Sequence, residues 1–401
     1  LLALFPLAPV PWWPARADPA PAGADPIVVS GIKENRSDWK RAESAHAIIF
    51  SDGSEAELKR VANDLERLHQ LMARLYGQSD QSGELAKLRI ILVGSARDFR
   101  TLPLRNMRSE EGPYASPFAR QRYYDPRDDG ALLVLPRADQ IIDLDTSRAR
   151  DAACEEMAEA LAAAELLCSN QTTRPAPVAR PWESVLFSAY AQHFTLSYLP
   201  AGYPRWYLDG VGALFSTVAI RRGGALDYAR ISLANRQIFR SYGRLNAADV
   251  LTGHYMESPS RTMEWTPFHA ALLVHFFVYS DLKPERQAQF GRYMAAVRQG
   301  APMAEAATAF GDLNRLRREI SSYAGREGLA YARTEKESAP PQDPSITSLS
   351  TVHAAALEAS IGLAPSPAGD TIGHDSEAAL LLAEAACRSG RPDQGLARAP
   401  A

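Results

Sequence analysis

The chain has 401 residues, of which 46% are hydrophobic and 23% are charged, and its formal net charge is −3. This length leaves room for two or three domains, and the composition is ordinary for a globular protein with a sizeable core. The slight negative charge predicts no electrostatic attraction to nucleic acid or acidic lipid. No stretch after the N-terminal segment has the 18 or so apolar residues of a membrane span.

The N-terminal segment, residues 1–17, is apolar and ends in Ala15-Arg16-Ala17. A small-x-small triplet after an apolar run is typical of a signal-peptide cleavage site. We therefore interpret residues 1–17 as the remainder of a secretory signal peptide, and we expect a periplasmic or secreted protein. Residues 18–37 are rich in Pro and Ala, which predicts a linker.

Residues 38–150 are predicted to form a small sheet with one helix. Strand-length apolar runs lie at residues 45–53, 88–94 and 131–136. Ser54 and Glu57 have the spacing of a helix-capping box. A stripe of apolar residues at helical spacing follows as far as Gly77. The Tyr- and Arg-rich segment before the third strand, residues 106–130, is predicted to be a loop.

The rest of the chain has a helical pattern. We predict helices over residues 151–168, 183–198 and 204–220, and a largely helical stretch from 227 to 332. Residues 333–350 predict a linker. Residues 351–401 contain a helix, a Gly turn and the start of a second helix, which is the outline of one tetratricopeptide-like hairpin. Because a lone hairpin cannot bury its apolar face, either it continues in a longer chain or it packs on the main domain.

Two neighbouring segments carry the clearest motif: "VLFSAYAQHF", residues 185–194, and "YPRWYLDGVGALF", residues 203–215. Together with the block that begins at residue 38 and the helical block around "LLVHFFVYSDLKPERQAQF", they resemble bacterial peptidase-MA-like metallohydrolases, a gluzincin-type group of unknown function. The resemblance covers roughly residues 38–332. It implies a zincin-like α+β domain in which an H-E-x-x-H helix is followed by a W-Y-x-E-G-x-A-E-Y helix.

The residues that carry the chemistry of that motif are replaced here. In the motif, two His one helical turn apart and a Glu from the next helix bind zinc, and the intervening Glu activates the zinc-bound water. In this sequence Ser188 and Gln192 stand at the His positions, Ala189 at the base position and Asp209 at the third ligand position. The later Glu of the second helix is Ala213. Since a hydroxyl and an amide are poor zinc ligands, we expect zinc to be lost, with no metal site and no catalytic residue.

The candidate binding residues are therefore those of a remnant cleft: Ser188, Gln192, His193 and Asp209. We expect Ser188 and Gln192 on one helix face, with Asp209 facing them across the cleft. A shifted metal site fails because residues 189 and 197, one turn either side of His193, are Ala and Ser. A Ser188–His193–Asp209 triad is disfavoured, because five residues correspond to about 140° around a helix.

Four further histidines need an interpretation. A metal site rebuilt from His193, Asp209, His269 and His275 stays an alternative. His275, within the apolar run "LLVHFF", is more typical of a hydrogen-bonded core histidine. His46 and His69 lie in the predicted first strand and first helix, and we interpret both as structural.

Three functional hypotheses follow. The first is a periplasmic or secreted pseudo-metallopeptidase that binds a peptide or protein, or serves as a scaffold, without zinc. The second is an active metal-dependent hydrolase with a rearranged site. The third is a tetratricopeptide-type interaction protein.

Overall fold

The structure is a computed structural model. It describes residues 39–78, 86–104, 122–126, 130–142, 178–231, 246–256, 262–280, 284–326, 328–334, 341–366, 376–388 and 393. The predicted signal peptide, the linker at residues 18–37 and the predicted helix at 151–168 lie outside these residues.

Strands are concentrated in the N-terminal part of the described chain, and helices follow. The strands are β1 (Lys40–Glu43), β2 (Ala47–Ser51), β3 (Leu88–Val93), β4 (Tyr123–Asp125), β5 (Leu132–Pro136), β6 (Gln140–Ile142), β7 (Val178–Arg180), β8 (Ala219–Ile220), β9 (Leu226–Tyr228), β10 (Ala332–Arg333) and β11 (Ser345–Ser348). The α-helices are α1 (Glu55–Tyr76), α2 (Ala96–Thr101), α3 (Trp182–Tyr198), α4 (Arg205–Phe215), α5 (Ala247–Thr252), α6 (Thr262–Tyr279), α7 (Pro284–Arg298), α8 (Met303–Ala306), α9 (Leu313–Ala324), α10 (Thr351–Ile361) and α11 (Ser376–Arg388). The predicted α+β class is confirmed.

The main sheet has the strand order β11-β1-β2-β3-β5-β4 among the described residues. Strands β2, β3 and β5 run parallel, while β1, β4 and β11 pair antiparallel with their neighbours. The segment predicted to be a loop therefore contains an edge strand, β4. Periodicity could not reveal it, because β4 has only three residues.

Helix α1 begins and ends where the sequence predicts. The Ser54 side chain accepts a hydrogen bond from the Glu57 backbone N–H at 3.2 Å, which satisfies one of the donors left free at a helix start. Gly77 ends the helix with φ of 63°, in the left-handed region that favours glycine. Glu57 does not complete the predicted box, because its carboxylate bonds to Arg137 instead, at 2.7 Å.

The sheet is covered on both faces. Alternate strand residues, among them Ile49, Ile90 and Leu133, pack with α1 and the central helices into one large core. The residues between them, such as Phe50 and Ile91, form a second core with residues of α2, α10 and α11. This alternation follows from the two-residue period of a strand, and it gives a layered arrangement with helices above and below the sheet.

The C-terminal segment differs from the prediction in two ways. Residues 345–348 were placed in a linker, but they form strand β11, which pairs with β1 at the sheet edge. Helices α10 and α11 contact each other and pack on the sheet, so α11, the first helix of the predicted hairpin, is buried against the main domain. The predicted second helix, after residue 390, lies outside the described residues apart from Asp393.

The central part is helical, with one small addition. The helix predicted to reach residue 220 ends at Phe215, and β8, β9 and β10 then form a small antiparallel sheet. Gly223 and Gly224, both with positive φ, turn the chain between β8 and β9. Within the part of the chain that the structure describes, no helix combines the length and the apolar character needed to cross a membrane.

Candidate functional site

The candidate site lies between α3 and α4, which pack closely because of a glycine. A Cβ atom on Gly212 of α4 would lie 2.9 Å from Ser188 Oγ and 3.0 Å from Gln192 Nε2. On the other side of α4, a Cβ on Gly210 would lie 2.6 Å from the Ala270 carbonyl oxygen of α6. Distances this short exclude a side chain. The two glycines therefore let α4 fit between α3 and α6 and bring Asp209 to the α3 surface.

Three of the four predicted binding residues come together. Ser188 and Gln192 share one face of α3, one turn apart, and Gln192 Nε2 donates to Asp209 Oδ1 at 3.3 Å. The same Nε2 donates to the Leu208 carbonyl oxygen at 3.1 Å. The arrangement of these three side chains is the one expected from the sequence, but they do not line an open cleft, since Ser188 is only 1% exposed.

The point on which they converge is filled by Arg122, a buried residue directly before β4. One guanidinium nitrogen donates to Ser188 Oγ at 3.4 Å, and another donates to Gln192 Oε1. Its positive charge also acts on Asp209. The Arg122 guanidinium thus bonds to two of the positions to which the resemblance assigns zinc ligands and acts on the third through its charge. We call Arg122, Ser188, Gln192 and Asp209 the Arg122 cluster.

Asp209 is in an unfavourable environment for a carboxylate. Burial raises its pKa above the ordinary value, and the charges of Arg205 and Arg122 and the Gln192 hydrogen bond offset only part of that effect. The Arg205 Nε atom lies 3.6 Å from Asp209 Oδ2, which is a long ion pair, and Arg205 is partly exposed. The Arg122 cluster therefore holds a carboxyl group that is protonated more readily than an aspartate in water.

The residues present do not fit zinc. The resemblance implies two imidazoles and a carboxylate, whereas the Arg122 cluster offers a hydroxyl, an amide and one carboxylate. The amide oxygen accepts from Arg122, and the amide nitrogen is a donor. Among the described residues no group of three or more His, Cys, Asp or Glu side chains could hold a metal ion. At the position where the resemblance implies the base, α3 carries the buried Ala189.

His193 does not join the Arg122 cluster. Its Nδ1 lies 3.0 Å from the Tyr124 hydroxyl and 3.2 Å from Ser197 Oγ. Burial lowers its pKa to about 4, with a smaller contribution from His69, so the ring is neutral at physiological pH. The structure therefore does not bring His193 together with the other three predicted binding residues, because it projects from a different side of α3, as its separation of about 140° from Ser188 implies.

His193 instead belongs to a buried cluster of aromatic rings. The rings of His46 and His69 stack with centroids 3.5 Å apart. His46 Nδ1 lies 2.7 Å from Glu66 Oε2, and His69 Nδ1 lies 2.9 Å from the Tyr190 hydroxyl. These contacts connect β2, α1 and α3 through the core. They agree with the structural interpretation of both histidines.

His275 is a hydrogen-bonded core histidine, as the sequence predicts. Its Nε2 lies 2.8 Å from the Ala330 carbonyl oxygen, so Nε2 carries the proton, and Nδ1 accepts from the Tyr323 hydroxyl at 2.6 Å. Both nitrogens are engaged, which leaves neither for a metal. Burial lowers the pKa of His275 and of His269 to about 4. The rebuilt metal site is therefore not assembled among these residues.

Arg122 is the residue that the sequence analysis missed. It lies in the stretch "RQRYYDP", residues 120–126, whose Tyr- and Arg-rich composition was the available signal. Composition marks the segment, but it does not select one arginine among several.

Comparison with known protein families and with curated proteins finds no match for this chain.

Proposed function

We propose that this protein is a pseudo-metallopeptidase, a zincin-like chain that works by binding a peptide or protein, or as a scaffold, and not by hydrolysis. The observation that carries the proposal is the Arg122 guanidinium, which contacts the Ser188 hydroxyl and the Gln192 amide oxygen. A cation held by hydrogen bonds occupies the centre of the motif. Following the signal-like N-terminus, we place this function in the periplasm or outside the cell.

Charge explains why an arginine suits this position. In the family pattern a divalent cation balances the third-ligand carboxylate, and its loss would leave the largely buried Asp209 with only the long contact to Arg205 as counter-charge. Arg122 supplies a permanent positive charge with several donors. The helix pair α3–α4 can then stay closely packed without metal, which is compatible with a scaffold or binding protein.

Metal analysis tests the proposal directly. Purified protein, loaded with zinc and then desalted, should retain no stoichiometric zinc by elemental analysis and should cleave no peptide library. One carboxylate cannot hold zinc against water. About one equivalent of zinc that is lost in the Asp209→Ala variant would overturn the proposal and favour the alternative, an active hydrolase with a rearranged site.

Restoring the motif gives the converse experiment. The quadruple variant Ser188→His, Ala189→Glu, Gln192→His and Asp209→Glu recreates the ligands of the family pattern but keeps Arg122. We expect it to bind zinc poorly, because a guanidinium repels a divalent cation at close range. The quintuple variant that adds Arg122→Ala should bind about one equivalent. Equal zinc in both variants would show that Arg122 does not occupy the metal position.

The tetratricopeptide-type alternative is less well supported. Apolar residues of α10 and α11 are buried against the main sheet, so this pair serves the core of the domain. Glu384 of α11 also forms an ion pair with Arg89 of β3 at 2.6 Å. In a separate interaction module the apolar faces of these two helices would instead contact a partner or further repeats.

A further inference from the structure

A second cluster of charged residues lies on the small sheet formed by β8, β9 and β10. Asp227 in β9 is completely buried, and three arginines bind its carboxylate. They are Arg221 from the turn after β8, Arg230 shortly after β9, and Arg333 from β10. We call these four residues the Asp227 cluster. None of them belongs to the Arg122 cluster, and the sequence analysis assigned no role to any of them.

The hydrogen bonds orient the arginines toward one carboxylate. Arg333 Nε donates to Asp227 Oδ1 at 2.6 Å, and Arg221 donates to Oδ2 from Nε at 2.8 Å and from Nη2 at 2.5 Å. Arg230 makes a longer contact, 3.4 Å to Oδ2. Three guanidiniums share one carboxylate, so positively charged side chains outnumber negatively charged ones among the four residues of the Asp227 cluster.

The three arginine side chains are about half exposed although the Asp227 carboxylate is buried. The side chains of Arg221, Arg230 and Arg333 are 50%, 47% and 47% exposed. Arg230 and Arg333 also lie over the ring of Tyr331, at 4.4 Å and 5.9 Å from its centroid. The Asp227 carboxylate and the ring restrict the arginine rotamers, which lowers the entropy lost when an anion binds.

The backbone beside Arg230 is strained. Ala229 has φ of 59°, the one non-glycine residue with positive φ in the described parts of the chain, and it is buried. Such a conformation persists only where the surrounding structure enforces it, and it is concentrated at functional sites. Here it turns the chain out of β9, and the Arg230 carbonyl oxygen then accepts from Thr217 Oγ1 at 2.7 Å. The strained turn thus fixes the position of Arg230.

We propose that the Asp227 cluster is a binding surface for an acidic peptide segment of a protein partner. Guanidinium forks match carboxylates in geometry and charge, and Asp227 already shows this recognition within the chain. The overall charge of −3 disfavours a polyanion such as nucleic acid, whereas a short acidic segment needs only a local group of half-exposed guanidiniums. The proposal is independent of the loss of zinc.

Fluorescence anisotropy with a labelled hexaglutamate peptide tests this surface. We expect saturable binding that weakens as salt rises, and no binding of a labelled hexaglutamine peptide. Arg230→Gln should weaken hexaglutamate binding about two- to five-fold, the effect of one exposed ion pair. Since Arg230 makes the longest contact with Asp227, this variant keeps the stronger bonds of the Asp227 cluster, and its melting temperature checks the fold.

Arg317→Gln is the matched control, because it removes the same charge from an exposed position on α9. Unchanged binding in this variant and a further loss in Arg221→Gln/Arg230→Gln are expected. The proposal is overturned if hexaglutamate fails to bind, or if Arg317→Gln weakens binding as much as Arg230→Gln. Tighter binding of a six-nucleotide single strand than of hexaglutamate would also overturn it, in favour of nucleic acid.

Discussion

The Arg122 cluster and the Asp227 cluster each combine an aspartate with arginine, and yet the pKa of the aspartate is shifted in opposite directions. Burial raises the pKa of Asp209 above its ordinary value, and the nearby arginines do not reverse the effect. Burial would also raise the pKa of Asp227, but the hydrogen bonds from Arg333 and Arg221 lower it below that value. Both carboxylates are shielded from solvent and both lie near guanidinium groups.

The difference lies in geometry and not in the presence of charge. Asp227 receives close hydrogen bonds from guanidiniums that reach it from solvent, so each arginine keeps part of its hydration. Asp209 has one long contact with Arg205 and accepts a hydrogen bond from the Gln192 amide. Arg122 donates hydrogen bonds to Ser188 and Gln192. A buried carboxylate is therefore stabilised by donors that point at it, and a nearby cation alone is not sufficient.

The largest expected effect is a loss of unfolding free energy at acid pH. This loss restricts the pH range in which variants of the two clusters can be compared. His193, His269 and His275 have pKa values of about 4 in the fold, below the ordinary 6.5. The unfolded chain therefore binds more protons, so stability is complete above pH 6.5 and falls as pH drops toward 4. Each histidine contributes up to about 1.4 kcal/mol per pH unit in this window.

Urea unfolding between pH 8 and pH 5 measures that slope. His193→Gln should reduce it by about one histidine's share, whereas the exposed His254→Gln should not change it. A free energy of unfolding that stays flat below pH 6.5 would mean that the three rings are protonated in the fold. Variants of Asp227 and Asp209 should therefore be compared with each other above pH 7, where the histidines do not change the unfolding free energy.

Asp227→Asn should be the more damaging of the two aspartate substitutions. It removes the charge that holds three arginines, and an amide can accept at only one of its two positions. We expect a loss of about 2–3 kcal/mol of unfolding free energy at pH 7.5. Since the pKa of Asp227 is lowered, the difference from the parent protein should shrink as pH falls below the ordinary value of 3.8. A loss below about 0.5 kcal/mol would show that the arginines are held by other contacts.

Arg122→Leu tests the other cluster from the side of the cation. Leucine fills the buried space but leaves the Gln192 carbonyl oxygen without the donor that Arg122 provides. We expect a loss of about 2 kcal/mol, together with a further rise in the pKa of Asp209. Arg205→Leu, which alters only the long and partly exposed contact, is the control and should cost less than about 1 kcal/mol. Equal losses would mean that both arginines act on Asp209 alone.

Asp209→Asn should have the smallest effect, below about 1 kcal/mol at pH 7.5. Asparagine keeps the acceptor for Gln192 Nε2 and removes a charge that burial disfavours. Because the pKa of Asp209 is raised, the parent protein loses stability as pH rises through that pKa, and the variant does not. The unfolding free energy of the variant, relative to that of the parent protein, should therefore increase as pH rises. For Asp227→Asn the same difference should change with pH in the opposite direction. A loss as large as that of Asp227→Asn would contradict the comparison.

Local signals in the sequence predict the N-terminal fold well. Ser54, the apolar stripe and Gly77 are local determinants of α1, and the runs at 47–51, 88–93 and 132–136 are apolar enough to be recognised as buried strands. Strand β11 was missed because it has four residues, lies beside a Pro-rich segment and is defined by pairing with β1. A short strand has no pattern of its own until its partner is known.

The candidate site also contains one part that the sequence predicts and one part that it does not. Helical spacing places Ser188 and Gln192 on one face, and the turn to α4 brings Asp209 opposite. Nothing local connects Arg122 with residues 66 and 70 positions away. The Asp227 cluster was missed for the same reason, since 106 residues separate Arg333 from Asp227. Clusters of this kind are properties of the tertiary fold.

The pairing of β1 with β11 has a consequence for how the chain reaches its fold. Lys40 pairs with Ser348, and the Trp39 indole nitrogen donates to Glu358 across 319 residues of sequence. During synthesis one edge of β1 therefore stays unpaired until residues 345–348 have been made. Contacts this distant form slowly, and an unpaired edge is a site for wrong association. This edge of the sheet thus cannot form before residues 345–348 are present, although its other partner strand, β2, is made almost at once.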